Sequence, residues 1–386
     1  MKKFVKVMCM ALVLVMAMGC FAACGGNNSD AGKTYVIGCS GPLTGPAAVY
    51  GQAVKNSAQM AVDEINAAGG LNGVTFKLVM LDDKHDPANI AANYAALYEQ
   101  GMQVSLGTVT TAPGLEFANY AKEDNVFFLT PSASGDSIPA GHGYQMCFAD
   151  GNQGKVAAEY VNEAYAGKTI GVFYKTDDPY SKGIYDQFVA ALDASVTTVV
   201  TSFDATTEQA SFATQINAVK DCEFVFMPIY AAPAAAFMTQ AKDVMNPNAV
   251  YYGCDGLDGI ESIEGFDITA VPQEVSMLSH FNSKATEGTA KEFVDKYVAK
   301  YGADTLNQFG ASAYDCVYAI YNALKTAGNK VNPDMDASEV CDVLKDMFDN
   351  GFTFTNGATG ETVKWNADGS VNKMAVKFVV KAADAQ

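Results

Sequence analysis

The chain has 386 residues, 49% of them apolar, and carries 43 acidic residues against 25 lysines and no arginine, a net charge of −18. So apolar a chain can bury a core, which excludes intrinsic disorder, and its length suits two α/β domains at the usual ~100–200 residues each. Its acidity repels polyanions, which excludes nucleic acid and anionic lipid surfaces as partners.

The first residues read as an export leader. Lys2, Lys3 and Lys6 precede the apolar run Val7 to Ala17, which is too short to span a bilayer. The run ends in Phe21-Ala22-Ala23-Cys24-Gly25-Gly26. Small residues before a cysteine, with a polar stretch after it, resemble the lipobox of bacterial lipoproteins. Residues 1–23 are therefore expected to be a signal peptide. Cys24 is the expected lipidation site, with Cys20 as the alternative, and 24–33 would be a flexible linker. The expected location is the outer face of a bacterial cell membrane, reached through the lipid anchor alone. Loss of the leader removes three lysines and no acid, leaving 22 lysines against 43 acids, net −21.

From Thr34 to Asp83 the pattern is strand, glycine-rich turn, helix, Gly69-Gly70 exit and strand. Val54, Ala58, Ala61 and Ile65 recur at helical spacing, and Val74, Phe76, Leu78 and Met80 alternate as in a strand. This βαβ unit implies a parallel sheet with a right-handed crossover. Ligands sit beyond the carboxyl ends of such strands, so the loop Ser40 to Gly51, with Tyr50, lies at a ligand mouth. Alternation continues with a helix over 87–100, a strand over 104–107, a helix over 115–124 and a strand over 126–130. A second series follows: helix 154–165, strand 169–174, helix 181–193, strand 196–202, helix 208–219, strand 223–230, helix 232–244 and strand 249–253. Two such series imply two similarly built lobes. The tail reads as a strand over 274–280, helices over 288–301, 309–327 and 337–348, and β-like runs over 352–355, 362–365 and 374–380.

Cys39, Cys147, Cys222, Cys254, Cys316 and Cys341 have no metal-ligand spacing and mostly lie inside apolar runs. Buried free thiols are the expected state, one or two disulfides the alternative. Asp82, Asp83, His85 and Asp86 could hold a metal, but a solvated loop after a strand is the preferred reading. Gly151-Asn152-Gln153-Gly154-Lys155 lacks the spacing of a phosphate loop, and no GxSxG or HExxH is present. No enzyme, cofactor or metal is expected. A receptor-type sensor would need a membrane helix or signalling domain.

The stretches GPLTGPAAVYG, AVDEINAAGGLNG, LVMLDDKHDP, FFLTPSAS, YSKGIYDQF, FVFMPIYAAPAAAFMTQAK, VYYGCDG and GETVKWNADGSV follow one another in that order. Together they resemble the leucine/isoleucine/valine-type solute-binding proteins of ABC importers, over essentially the whole chain after the leader. The resemblance implies an α/β protein of two Rossmann-like lobes, the type I periplasmic-binding-protein fold, joined by three hinge crossings. Those crossings are expected near 144–149, 271–279 and 352–357. The lobes would comprise 34–145 plus 277–353, and 146–276 plus 354–386. The implied function is capture of a free amino acid, branched-chain or otherwise hydrophobic, by a monomer that delivers it to permease and ATPase subunits. An amide, urea-like or aromatic-acid solute is the alternative.

Without arginine, a ligand carboxylate must be met by hydroxyls and backbone N–H groups near helix N-termini. Thr110-Thr111 and Ser132-Ala133-Ser134 each follow a strand and match the family's α-carboxylate and ammonium positions, which makes Thr111, Ser132 and Ser134 candidates. In isolation such clusters read as turn chemistry. Asp255 stands where the family usually has a glutamate for the ammonium, one methylene longer. Tyr50, Tyr180 and Tyr230 match aromatic positions lining the cleft, and Phe309 a wall of the side-chain pocket. Where the family often has a pair of cysteines, this chain has His85 and Thr110, so that disulfide is absent.

Overall fold

The computed structural model describes residues 30, 32–139, 141–207 and 211–384; the leader and Cys24 lie outside them. Strand β1 (Thr34–Gly41) is central in the first sheet, paired in parallel with β2 (Thr75–Asp82) and β3 (Val104–Ser105). A parallel bridge from Ser105 to Phe128 carries the sheet on to β4 (Leu129–Thr130) and its parallel partner β5 (Tyr144–Gln145). Helices α1 (Ala48–Ala67), α2 (Ile90–Glu99) and α3 (Thr111–Glu123) form its crossovers. Helices cover both faces, so β1 is buried at Tyr35 and throughout 37–41 rather than on alternate residues. Helix α1 buries Val54, Ala58, Ala61 and Ile65, the stripe its spacing predicts. Its start is crossed so closely by the preceding loop that a Cβ on Gly51 would lie 1.9 Å from the Pro42 carbonyl oxygen. Only glycine fits there.

The second sheet has six strands. Its spatial order is β13 (Val376–Lys381), β10 (Glu274–Ser279), β9 (Val250–Gly253), β8 (Phe224–Met227), β6 (Thr169–Lys175) and β7 (Thr197–Phe203). All pairs are parallel except β10 with β13. Helices α4 (Asp150–Ala164), α5 (Pro179–Ala191), α6 (Ala213–Val219) and α7 (Ala231–Ala241) connect its strands. Both sheets are doubly wound, and the expected two-lobed α/β architecture is the observed one.

Several boundaries move. Helix α3 begins at Thr111 rather than Leu115, because Pro113 falls in a first turn, where its missing N–H costs nothing. Strand β3 stops at Ser105, since Gly107 turns the chain with φ +61°. Helix α4 begins at Asp150, four residues before the expected start. Residues 208–210 of the helix expected over 208–219 lie outside the described residues, and α6 starts at Ala213.

The chain first crosses between the lobes after β5. It leaves the second sheet again after Ser279, so the boundary expected at 276/277 falls inside β10. Helices α8 (Gly288–Tyr301), α9 (Gln308–Ala327) and α10 (Ala337–Asp349) then pack on the first lobe, where Cys341 Sγ lies 3.8 Å from His142 Nε2. The third crossing is not near Phe352 to Gly357. The hairpin β11 (Thr353–Gly357) and β12 (Gly360–Lys364) stays with the first lobe, because Trp365 donates to the Gln145 carbonyl at 2.8 Å and packs on Phe348. Only at 372–375 does the chain pass to β13. The Lys373 carbonyl there accepts from Asn152 of α4 at 3.4 Å.

A buried polar cluster holds this last crossing. Asp315 of α9 accepts from the N–H groups of Ala358 (2.7 Å) and Thr359 (2.8 Å) and from the Thr359 hydroxyl (2.5 Å). That hydroxyl in turn accepts from Lys373 Nζ at 2.5 Å. All six cysteines beyond Cys24 are buried and unpaired, the expected state. Among the described residues no helix is long and apolar enough to cross a membrane.

Candidate functional site

The loops after β1 and β2 are pinned together by carboxylates. Asp82 accepts from the Leu43 N–H (2.8 Å), the Thr44 hydroxyl (2.6 Å) and the Lys84 N–H (2.9 Å). Asp83 accepts from the Ser40 hydroxyl (3.0 Å) and the His85 N–H (2.9 Å). These bonds hold Lys84 and His85 at φ +56° and +62°, a left-handed pair that non-glycine residues adopt only where the surroundings enforce it. The carboxylates considered for a metal are thus spent on the loop. Among the described residues no group of histidine, cysteine and acid could hold one. The constraint aims His85 across the cleft, where Nδ1 meets the Thr110 hydroxyl at 2.9 Å and the ring meets Tyr230 edge-on at 5.0 Å. Burial, reinforced by the charge of Lys175, pulls the imidazole down to about 4, so it is neutral at neutral pH.

Thr111 opens α3 with its backbone N–H free of helical partners, and the Tyr230 hydroxyl, from the other lobe, is directed at that N–H. The Ser132 hydroxyl donates to the Val109 carbonyl at 2.6 Å, so it braces the two loops against each other. Gln145 does the same for the next turn, donating to the Ala133 and Gly135 carbonyls. Ser134 accepts from the Asp150 N–H at 2.8 Å through its carbonyl.

On the facing lobe, the Tyr180 hydroxyl donates to Asp255 at 2.7 Å and accepts from the Gly256 N–H at 2.8 Å. Gly256 has no room for a side chain: its Cβ would lie 2.6 Å from that hydroxyl. The Asp255 N–H donates to Gln153 of α4 at 3.0 Å. Tyr230 stacks on Tyr180 at 4.5 Å. Tyr50 completes the wall from the first lobe, 5.6 Å from Tyr230 and edge-on to Phe309 at 5.3 Å. Its hydroxyl donates to the Gly256 carbonyl (2.6 Å) and accepts from the Ala231 N–H (2.8 Å), bridging the lobes.

All eight candidates therefore converge on one cleft. Sequence reasoning missed Asp150 and Gln153, the first turn of α4. Asp-Gly-Asn-Gln-Gly reads as a turn, and only the helix beyond it showed periodicity. Asp150 is 1% exposed, as is Asp255. Its carboxylate accepts from the Thr111 hydroxyl at 3.4 Å, across the lobes. Burial drives Asp150 well above the usual carboxylate range, and the charge of Asp255 adds to the shift. Burial raises Asp255 to about 6 against the pull of the Tyr180 hydroxyl. Among the described residues, one oxygen of each carboxylate, Oδ1 of Asp150 and Oδ2 of Asp255, has no hydrogen-bond donor, and neither group pairs with a lysine. Two desolvated carboxylates without an internal cation are costly unless a positive group joins them.

Residues 34–382 match the family model described as periplasmic binding protein. The Leu/Ile/Val-binding protein homolog 3 of Brucella melitensis is 27% identical over 314 residues, 80% of this chain and 83% of its own. The leucine-, isoleucine-, valine-, threonine- and alanine-binding protein of Pseudomonas aeruginosa is 27% identical over 347 residues, 86% and 87% of the two chains. Among solved structures, the branched-chain amino acid transporter substrate binding protein LivJ of Streptococcus pneumoniae, in complex with isoleucine, superposes with a TM-score of 0.77. It shares 26% identity over 91% of this chain and 99% of its own. This chain belongs to the periplasmic binding protein family.

Proposed function

We propose that the protein captures a free amino acid with a hydrophobic side chain between its lobes, without catalysis, and delivers it to an ABC importer. The observation that carries this reading is the pair Asp150 and Asp255, each buried and each with an oxygen lacking a donor. An α-ammonium set against them supplies the missing positive charge. The α-carboxylate is met from both lobes, by the Thr111 N–H and hydroxyl and by the Tyr230 hydroxyl, with Ser132 and Ser134 holding the loop beside them. The dipole of α3 adds to the attraction. Relatives named for leucine, isoleucine and valine, and the isoleucine complex of the pneumococcal protein, support the same ligand class.

Ligand contacts split between lobes favour closure, because only the closed form satisfies both ends of the ligand. An importer then reads loaded protein from the spacing of the lobe surfaces. We further propose that the protein acts as a monomer tethered through lipid on Cys24. Replacing Cys24 with serine should release it into the medium, whereas retention on cells would point to Cys20.

Titration calorimetry tests the ligand assignment. A hydrophobic L-amino acid should bind, while its amide and its deaminated acid should each bind at least 100-fold more weakly. Equal binding of either analogue overturns the assignment.

A further inference from the structure

We propose that Asp258 is a latch, a carboxylate of the second lobe that caps helix α9 of the first lobe and thereby ties ligand capture at Asp255 to lobe closure. This rests on the amino-acid reading above and deepens it. Asp258 Oδ2 accepts the Gln308 N–H at 2.8 Å. Gln308 is the first residue of α9, so this N–H has no acceptor within its own helix. Asn307, the helix's own cap, takes the next two N–H groups, those of Phe309 and Gly310, at 3.1 and 3.0 Å. An acid of one lobe thus completes a helix N-terminus of the other, where the dipole also favours an anion.

Both ends of this bond lead to working parts. Asp258 directly follows the 3-10 turn Asp255–Leu257, and its N–H donates to the Asp255 carbonyl at 2.8 Å. The turn therefore carries the ligand acid and the latch acid as one piece. On the other side, the Gln308 side chain holds the second crossing. Its Nε2 donates to the Leu278 carbonyl at 3.5 Å and its Oε1 accepts the His280 N–H at 3.3 Å, where the chain leaves β10. The charges are coupled as well. Burial raises Asp258 to about 7, and the negative charges of Asp255 and Glu261 add to the shift. Glu261, Lys284 and Asp304 share with Asp258 a cavity of about 130 Å³ between the lobes. An ammonium set on Asp255 offsets one of these repulsions and favours ionised Asp258. The bond to Gln308 then gains strength, because a charged acceptor makes the better hydrogen bond. Opening returns both partners to water, so the bond weighs on the closed form alone.

Calorimetry and stopped-flow release of L-leucine on the full chain give the test. Asp258→Ala should speed release at least tenfold and weaken binding to match, with the association rate within threefold. A purely structural role would lower the unfolding midpoint and leave the release rate of the folded protein alone. Gln308→Pro removes the donor itself, and proline is accepted at the first position of a helix. Gln308→Ala removes the same side chain but keeps the N–H, so the difference between the two variants reads the N–H alone. That difference should be at least fivefold in release rate and should vanish in the Asp258→Ala background. Wild-type release from Asp258→Ala, or a difference that persists in its background, overturns the latch while leaving the amino-acid reading intact. If neither leucine nor any other amino acid binds the wild-type chain, both readings fall. Should Asp258→Ala fold poorly, the Gln308 pair decides alone, and equal release from its two members overturns the latch.

Discussion

The molecule buries charge in two places and treats it in opposite ways. At the hinge, Asp315 accepts three hydrogen bonds and is joined to Lys373 through the Thr359 hydroxyl, so acid and base are both present and both bonded. In the cleft, Asp150 and Asp255 are as deeply buried, yet among the described residues each keeps one oxygen without a donor and no lysine bonds either. Burial raises all three carboxylates, but Lys373 pulls Asp315 back, whereas Asp150 is pushed further by Asp255. The hinge is electrostatically complete in itself; on the proposed reading the cleft is complete only with a cation from outside. A substitution at the hinge should therefore be read in stability, and one in the cleft in affinity.

The hinge gives the largest expected effect. Lys373→Met leaves Asp315 buried without its cation, and removing one partner of a buried pair costs about 3–5 kcal/mol of stability. Denaturant unfolding should show this as a lower midpoint, with ligand affinity of the folded fraction within a few fold of wild type. A stability loss below ~1 kcal/mol would show that Lys373 is not the group that balances Asp315.

In the cleft the sign of the stability effect reverses. Asp255→Ala should cost about 2–5 kcal/mol of amino-acid affinity, the expected loss for truncating one member of a buried charged contact. Asp150→Asn removes one of two mutually repelling carboxylates, so the ligand-free protein should become more stable while binding more weakly, a trade characteristic of strained sites. Thermal shift and calorimetry on the same variant check both halves. Lower stability together with unchanged affinity would place Asp150 with the structural groups.

The pH signatures should differ as well. Asp255 is raised from 3.8 to about 6, so the folded protein binds a proton that the unfolded chain does not, and its contribution to ligand-free stability falls as pH rises through 4 to 6. Lys373 is lowered from 10.5 to about 8 by burial, so the unfolded chain binds the extra proton and stability rises with pH between 8 and 10.5. Each window is worth about 3 kcal/mol at most. On the proposed reading, binding needs Asp255 ionised. Affinity should be flat above pH 7 and fall roughly tenfold by pH 5. Loss of that acid limb in Asp255→Asn, with the alkaline stability rise retained, would assign the two limbs to the two regions.

The doubly wound lobes were legible because their strands and helices repeat at periods of two and 3.6 over long stretches. Thr111, Ser132 and Ser134 were candidates because they follow strands, where topology puts ligands; the other five candidates came from the family resemblance. Asp150 was not legible, because a helix's first turn carries no periodicity, and Asp-Gly-Asn suggests a turn. The third crossing was misplaced for a different reason. The resemblance put it at Phe352 to Gly357, whereas the bond from Trp365 to Gln145 and its packing on Phe348, both long-range, keep the hairpin on the first lobe. Nothing local in the sequence marks Lys373, whose partner lies on a distant helix.

The smallest expected effect concerns the seam where the lobes meet. The Tyr50 hydroxyl, on the first lobe, gives its proton to the Gly256 carbonyl and takes one from the Ala231 N–H, both on the second. Burial keeps the phenol far above its ordinary range, so it acts as a neutral donor and acceptor across all accessible pH. Tyr50→Phe keeps the ring against Tyr230 and Phe309 but leaves a carbonyl and an N–H without a partner in the closed form. Opening returns both groups to water, so the cost falls on closure, about 1–3 kcal/mol, and not on either lobe's fold. Unfolding of the ligand-free variant should be unchanged. Affinity should drop by the cost of closure, and small-angle scattering at saturating ligand should still reach the compact form. A variant that unfolds earlier but binds as tightly would make Tyr50 a core residue of its lobe, with no part in bringing the two together.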